Sequence, residues 1–254
     1  MTDLARTLES ARETHKLLVP YVMGGIPDRD SFTDVLAAVG EHADAIEVGL
    51  PFSDPLMDGP VIAAAGERAI EEGTGPLDAL DLASGATTTR VAMTYYNPIH
   101  RTGERDFCSR AASCGFAGLI VPDLPLEESE SLRAACADER LAWIPLVAPT
   151  SPPERVARIA ETATGFVYAV STLGVTGARE SLSERAASVV EKVRAATDAV
   201  VLVGIGVSTP HQARDAAADA DGVVIGTAVV RRAVDEGPAS AASFLAEVRS
   251  ALDR

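Results

Sequence analysis

The stretch "AVVLVGIGVSTPHQARDAAADADGVVIGTAVV", residues 199–230, runs from an apolar β-branched segment through a glycine turn and an Ala-rich segment into a second apolar segment and a second glycine turn. The two apolar runs, 199–205 and 221–226, are almost continuously hydrophobic. They lack the alternation of a strand wetted on one face, which is the signature of a parallel strand covered on both sides. Between them Thr209 followed by Pro210 marks a helix start, a capping hydroxyl ahead of a first-turn proline. The unit reads strand, helix, strand, and its repetition along the chain decides the fold.

Six more such runs precede it: "LLVPYVM" at 17–23, "DAIEVG" at 44–49, "RVAMTYY" at 90–96, "GLIVPD" at 118–123, "LAWIPLV" at 141–147 and "GFVYAV" at 165–170. Helical segments separate them. Ser151, Pro152 and Glu154 read as a capping box with a first-turn proline, and Gly73 and Gly115 read as helix stops. Eight strands alternating with helices predict an α/β protein, a (β/α)8 TIM barrel. The charged, helix-patterned "MTDLARTLESARETHK" predicts an extra N-terminal helix. A length of 254 residues suits one such barrel, so residues 1–254 are expected to be a single TIM-barrel domain. A doubly wound open sheet is the alternative, but no GxGxxG follows the first strand.

A net charge of −15 argues against a surface for nucleic acid, although backbone amides can still bind a phosphate locally. The N-terminus lacks the apolar centre of a signal peptide and no run approaches the about 18 apolar residues of a membrane span, so a cytoplasmic location is expected. Cys108, Cys114 and Cys136 follow no metal spacing and read as bland thiols. His15, His42, His100 and His211 are scattered, so no metal site is expected. The only lysines, Lys16 and Lys192, stand at no strand's C-terminal end, where an imine-forming lysine would be needed.

In a barrel of this kind the active site lies at the C-terminal strand ends and the loops after them. "ADAIEVGLPFSDPLMDGP", residues 43–60, puts Glu47 inside an apolar run and then enters a loop carrying Asp54 and Asp58. If Ile46 and Val48 pack outward, Glu47 points into the barrel mouth. A buried carboxylate is costly unless paired or protonated, so it is either satisfied by an Arg or backbone amides, or is an acid/base group of raised pKa. Asp58 can fold back over the strand ends toward Glu47; Asp54 and Asp58 also suit plain turn roles. Glycines in "VGIGVSTP" and "IGTAVVRRA", after the last two strands, can expose N–H groups for a phosphate, or merely permit tight turns. "STLGVTGARE", 171–180, reads as a lid or an ordinary connector.

Taken in order, "VGLPFSDPLMDGP", "MTYYNPI", "LIVPDLPLEE", "APTSPPER", "STLGVTGAR", "GIGVSTP" and "VIGTAVV" closely resemble the tryptophan synthase alpha-subunit family, over about residues 17–233. The resemblance implies a lyase of tryptophan biosynthesis that cleaves indole-3-glycerol phosphate to indole and glyceraldehyde 3-phosphate, with no cofactor in this chain. It implies a beta subunit carrying pyridoxal phosphate as partner, in an α2β2 complex. By the same resemblance Glu47 and Asp58 are the catalytic pair with Tyr168 beside them. Phosphate would be held around Gly206, Gly226 and Thr227, with Thr176 and Gly177 from the lid. Tyr21, Met93, Ile120, Val147, Ile205 and Val224 would wall the indole, and Asp54 and Met57 would meet the partner. Tyr21, Ile26 and Met57 depart from the family's usual pattern: Tyr21 stands where phenylalanine is more usual and adds a hydroxyl that needs a partner, and the departure in the Met57 loop bears on partner binding more than on chemistry. Other readings are a stand-alone lyase releasing free indole, or a mainly allosteric or scaffolding subunit; the latter has no physical reason to keep Glu47, Asp58 and the glycine turns.

Overall fold

The computed structural model describes residues 1–170, 182–204 and 206–253, without the side chains of 182–185. Its strands are β1 (Leu17–Met23), β2 (Ile46–Gly49), β3 (Arg90–Met93), β4 (Phe116–Ile120), β5 (Ala142–Trp143), β6 (Leu146–Val147), β7 (Val167–Val170), β8 (Val201–Gly204) and β9 (Gly222–Ile225). All pairings are parallel, in the order β5-β4-β3-β2-β1-β9-β8-β7-β6.

β5 and β6 are the two halves of the predicted fifth strand, interrupted at Pro145, which has no N–H to give to a ladder. The ladder is nonetheless carried across the gap. Ile144 N–H donates to the Leu119 carbonyl at 3.1 Å, and Tyr168 N–H donates to the Pro145 carbonyl at 3.0 Å. The ring therefore closes as a (β/α)8 barrel, and each of the eight expected strands is present.

Side-chain alternation sorts the apolar residues into three groups. Val22, Ile46, Val48, Ala92, Leu119, Val167 and Val203 face outward into a shell shared with the helices. Leu17, Val19, Val91, Ile120, Ile144, Phe166, Leu202 and Val224 fill the barrel interior. Tyr21, Met23, Ile26, Ala65, Ala69 and Val230 form a smaller cluster over the upper rim. Cys108 and Cys136 lie buried in the outer shell with their sulfurs 3.8 Å apart, and Cys114 is buried there too.

The extra N-terminal helix, Asp3–Arg12, is capped by the Thr2 hydroxyl, which accepts the Ala5 N–H at 3.2 Å. Leu4 and Leu8 drive it into the bottom of the barrel, where a Leu4 methyl sits against Gly118 and Gly165. The same end is tied by half-buried polar and ionic contacts. Asp44 accepts from Leu18 N–H at 2.7 Å and from Arg249 at 2.6 Å, while Arg249 also donates to the carbonyls of Lys16 and His42.

Helix signals held with one exception. Gly73 and Gly115 adopt φ of +82° and +79° at helix ends, a conformation that favours glycine. The Thr209 hydroxyl caps the helix Pro210–Ala216, accepting from Gln212 N–H. The helix Pro153–Ala160, however, is preceded by Pro152 as its cap and has no side-chain cap bond, so Ser151 makes no capping box. No described helix is long and apolar enough to cross a membrane.

Candidate active site

β2 brings Glu47 to the mouth. Its neighbours Ile46 and Val48 belong to the outer shell, so alternation turns the carboxylate inward, where it is 1% exposed. Neither carboxylate oxygen has a hydrogen-bond partner among the described residues. Among the described residues, then, no arginine and no backbone amide satisfies this glutamate. Burial first, and the nearby Asp58 charge second, push its pKa up to about 8.

Asp58 stands in the loop that follows β2, one residue before Gly59 opens the helix Pro60–Glu71. The loop folds over the strand ends: Asp58 N–H donates to the Pro55 carbonyl at 3.1 Å, and Met57 N–H donates to the Tyr95 hydroxyl at 2.9 Å. Burial raises the Asp58 carboxyl to about 6, with the Tyr95 hydroxyl opposing the rise. Two carboxyls thus share one mouth with separated pKa values, the pattern that divides acid and base roles.

Three tyrosines surround them. Tyr21 is in register with Glu47 across the β1–β2 ladder, and Tyr168 in β7 is in register with Leu146 and Leu202. Burial and the Glu47 charge hold the Tyr168 phenol neutral, well above its ordinary range. Two glycines seat the rings. A Cβ on Gly49 would lie 1.9 Å from the Tyr21 hydroxyl, and one on Gly204 would lie 2.3 Å from a Tyr168 ring carbon. Any side chain there would expel the ring, which is a physical reason for glycine at both strand ends.

The apolar lining is formed by Met93, Ile120 and Val224 at the ends of β3, β4 and β9. Val147 does not join it. The residue packs in the outer shell, and Leu146 takes the inward place, because alternation through Ile144 and the break at Pro145 sets Leu146 inside. Ile205, Thr176 and Gly177 lie outside the described residues, as does the stretch 171–180.

Gly226 caps the helix Thr227–Asp235, and both residues are partly accessible at the mouth. The Gly226 carbonyl accepts from Val229 and Val230, while the first N–H groups of the helix have no acceptor within it, a ready anion site. Gly206 lies at the surface after β8 with open space beside its Cα. Beyond the rim, Asp54 is exposed and accepts from the Ser53 hydroxyl at 2.6 Å. Met57 is 51% exposed and Leu56 89% exposed.

Sequence reasoning missed Tyr95 and Leu56. Tyr95 follows β3 directly, so its place at a strand's C-terminal end was the available signal. Leu56 stands beside Met57 in a loop bracketed by prolines, and the two form a pair of large, exposed apolar side chains there. Among the described residues no group of three or more His, Cys, Asp or Glu side chains is placed to hold a metal.

The chain matches the sequence profile of the family described as "Tryptophan synthase alpha chain" over residues 8–251. It is similar to the tryptophan synthase alpha chain of Prochlorococcus marinus, with 43% identity over 92% of this chain and 89% of that one. The alpha chain of Gloeobacter violaceus is 44% identical over 90% of this chain and 85% of its own length. Among solved structures, tryptophan synthase from Mycobacterium tuberculosis superposes with a TM-score of 0.91 at 40% identity, covering 100% of this chain and 99% of that one. The alpha subunit from Legionella pneumophila gives 0.90 at 30% identity, covering 100% of this chain and 99% of that one. With that coverage and identity, the chain belongs to the tryptophan synthase alpha chain family.

Proposed function

We propose that the whole chain works as one TIM-barrel lyase that splits indole-3-glycerol phosphate into indole and glyceraldehyde 3-phosphate, as the alpha subunit of a tryptophan synthase. The observation that carries this reading is the inward, unpaired Glu47 carboxyl beside Asp58, the two held at about 8 and about 6.

Carbon–carbon cleavage at indole C3 needs a proton at C3, electron push from N1, and loss of the glycerol hydroxyl proton as the bond breaks. Asp58, ionised near neutral pH, stabilises the positive charge that develops at N1–H. Glu47, still protonated, delivers its proton to C3 and then takes the proton from the hydroxyl, whose carbon becomes the aldehyde. The electrons of the broken bond return to the indole ring. A group able to alternate between acid and base must titrate near the working pH, which a glutamate at about 8 does. Tyr168, neutral and seated over Gly204, borders Glu47.

The phosphate sits on the amides at Gly226, Thr227 and Gly206, joined by Thr176 and Gly177 as the resemblance implies. Tyr21, Met93, Ile120, Val224, Ile205 and Leu146 wall the indole. The loop carrying Asp54, Leu56 and Met57 meets a beta subunit that uses pyridoxal phosphate, in an α2β2 cytoplasmic complex; this chain's own reaction uses no cofactor. The test is a product assay: the isolated chain with indole-3-glycerol phosphate is expected to yield indole and glyceraldehyde 3-phosphate in equal amounts, and stimulation by added beta subunit separates the two-subunit enzyme from a stand-alone indole producer.

A further inference from the structure

Tyr21 does more than wall a cavity. It is 4% exposed, yet among the described residues its hydroxyl has no hydrogen-bond partner. The ring lies across the mouth. Its Cβ is 3.5 Å from where a side chain on Gly226 would begin, and its hydroxyl presses on the Cα side of Gly49. Since β1 pairs with β2 on one side and β9 on the other, Tyr21 spans from the helix start at Gly226 to the carboxylate side of the site.

Height along the strands decides which carboxylate the phenol serves. Tyr21 and Glu47 are in register, but the hydroxyl reaches the level of Gly49, two residues further toward the loop. The loop that carries Asp58 leaves β2 just after Gly49 and is held at Met57 by the Tyr95 hydroxyl, Tyr95 standing two residues beyond Met93, the register partner of Gly49. We propose that Tyr21 is a positioning residue whose hydroxyl donates a hydrogen bond to the Asp58 carboxylate when substrate fills the mouth, keeping that carboxylate ionised. The inference rests on the lyase reading above.

The groups that face this spot among the described residues are Asp58 itself, Glu47 from β2, Tyr95 after β3 and Tyr168 from β7. Asp58 exerts the strongest charge effect on Tyr21, ahead of Glu47, in keeping with the geometry. The phenol is held well above its ordinary range, mainly by burial, so it remains a donor at every working pH. A donor to an ionised carboxylate lowers its pKa. Tyr95 gives Asp58 one such donor already, and Tyr21 gives the second.

The test uses the full chain and its Tyr21→Phe variant, which keeps the ring and loses only the hydroxyl. Carboxyl carbon-13 NMR titration, with indole propanol phosphate bound as an uncleavable probe, is expected to move the Asp58 midpoint up by about one pH unit in the variant, the size of a charge-assisted hydrogen bond. Glu47 should move less. The acid limb of kcat for indole-3-glycerol phosphate, which reports the substrate-filled enzyme, should shift by the same amount, a loss of about tenfold on that limb. An unchanged Asp58 midpoint, or a larger shift at Glu47, overturns the assignment. If the parent chain does not cleave the substrate, the lyase reading falls, while the NMR titration still decides the role of Tyr21.

Discussion

The Met57 N–H donates to the Tyr95 hydroxyl at 2.9 Å, so the exposed loop of Leu56 and Met57 is pinned just beyond the end of β3. The same hydroxyl counters the effect of burial on Asp58. One phenol therefore links the outer face, with Leu56 and Met57, to a carboxyl inside the site.

Tyr95→Phe removes both connections. The Asp58 carboxyl should rise above its value of about 6, and the acid limb of the rate profile should move to higher pH. Stability should fall by only about 1 kcal/mol, because the freed Met57 N–H lies in an exposed loop and finds water. Steady-state kinetics across pH, together with thermal melting, check the two halves separately.

The rate profile of the parent has its own shape. Activity requires Asp58 ionised and Glu47 protonated at the start of the cycle, so kcat/KM should rise as pH passes about 6 and fall as it passes about 8. A single sigmoid with no alkaline limb would remove Glu47 as the proton donor.

Gly49→Ala places a methyl 1.9 Å from the Tyr21 hydroxyl and 2.4 Å from its ring carbon Cζ. The ring must leave its seat, at a cost of about 1–3 kcal/mol, and activity should drop while the circular dichroism spectrum stays that of the parent. Gly59→Ala is the comparison, since nothing stands within 4 Å of a Cβ there.

Much of this was legible in the chain. Parallel strands buried on both faces announce themselves by unbroken apolar runs, and Glu47 stood out against one of them. The rest depended on relations that a sequence does not display. Pro145 splits the fifth strand, and this break with the alternation around it sends Leu146 inward and Val147 outward. Tyr95 is set apart from other rim residues only by a hydrogen bond to a loop 38 residues away in sequence. The demand for glycine at position 49 comes from a ring on the neighbouring strand. Ser151 lost its capping role to Pro152 because the helix starts one residue later than the pattern implied.

Leu56, 89% exposed, has almost no packing to lose, so Leu56→Asp should change stability by no more than about 0.5 kcal/mol. Indole release by the isolated variant should match the parent, and stimulation by a beta subunit should be lost. Equal stimulation of variant and parent would move the docking face elsewhere on the rim.

The most direct test of the central claim is Glu47→Gln, read by both turnover and stability. A carboxyl whose folded-state pKa is raised from 4.5 to about 8 costs the folded state nothing below the lower value, and increasingly more as pH rises between the two. The amide escapes that cost. The variant should therefore be more stable than the parent above pH 8, by an amount of order a few kcal/mol, yet should lose indole release by at least about 10²-fold. A variant that cleaves indole-3-glycerol phosphate at near the parent rate would contradict the assignment of Glu47 as the acid and base of this reaction.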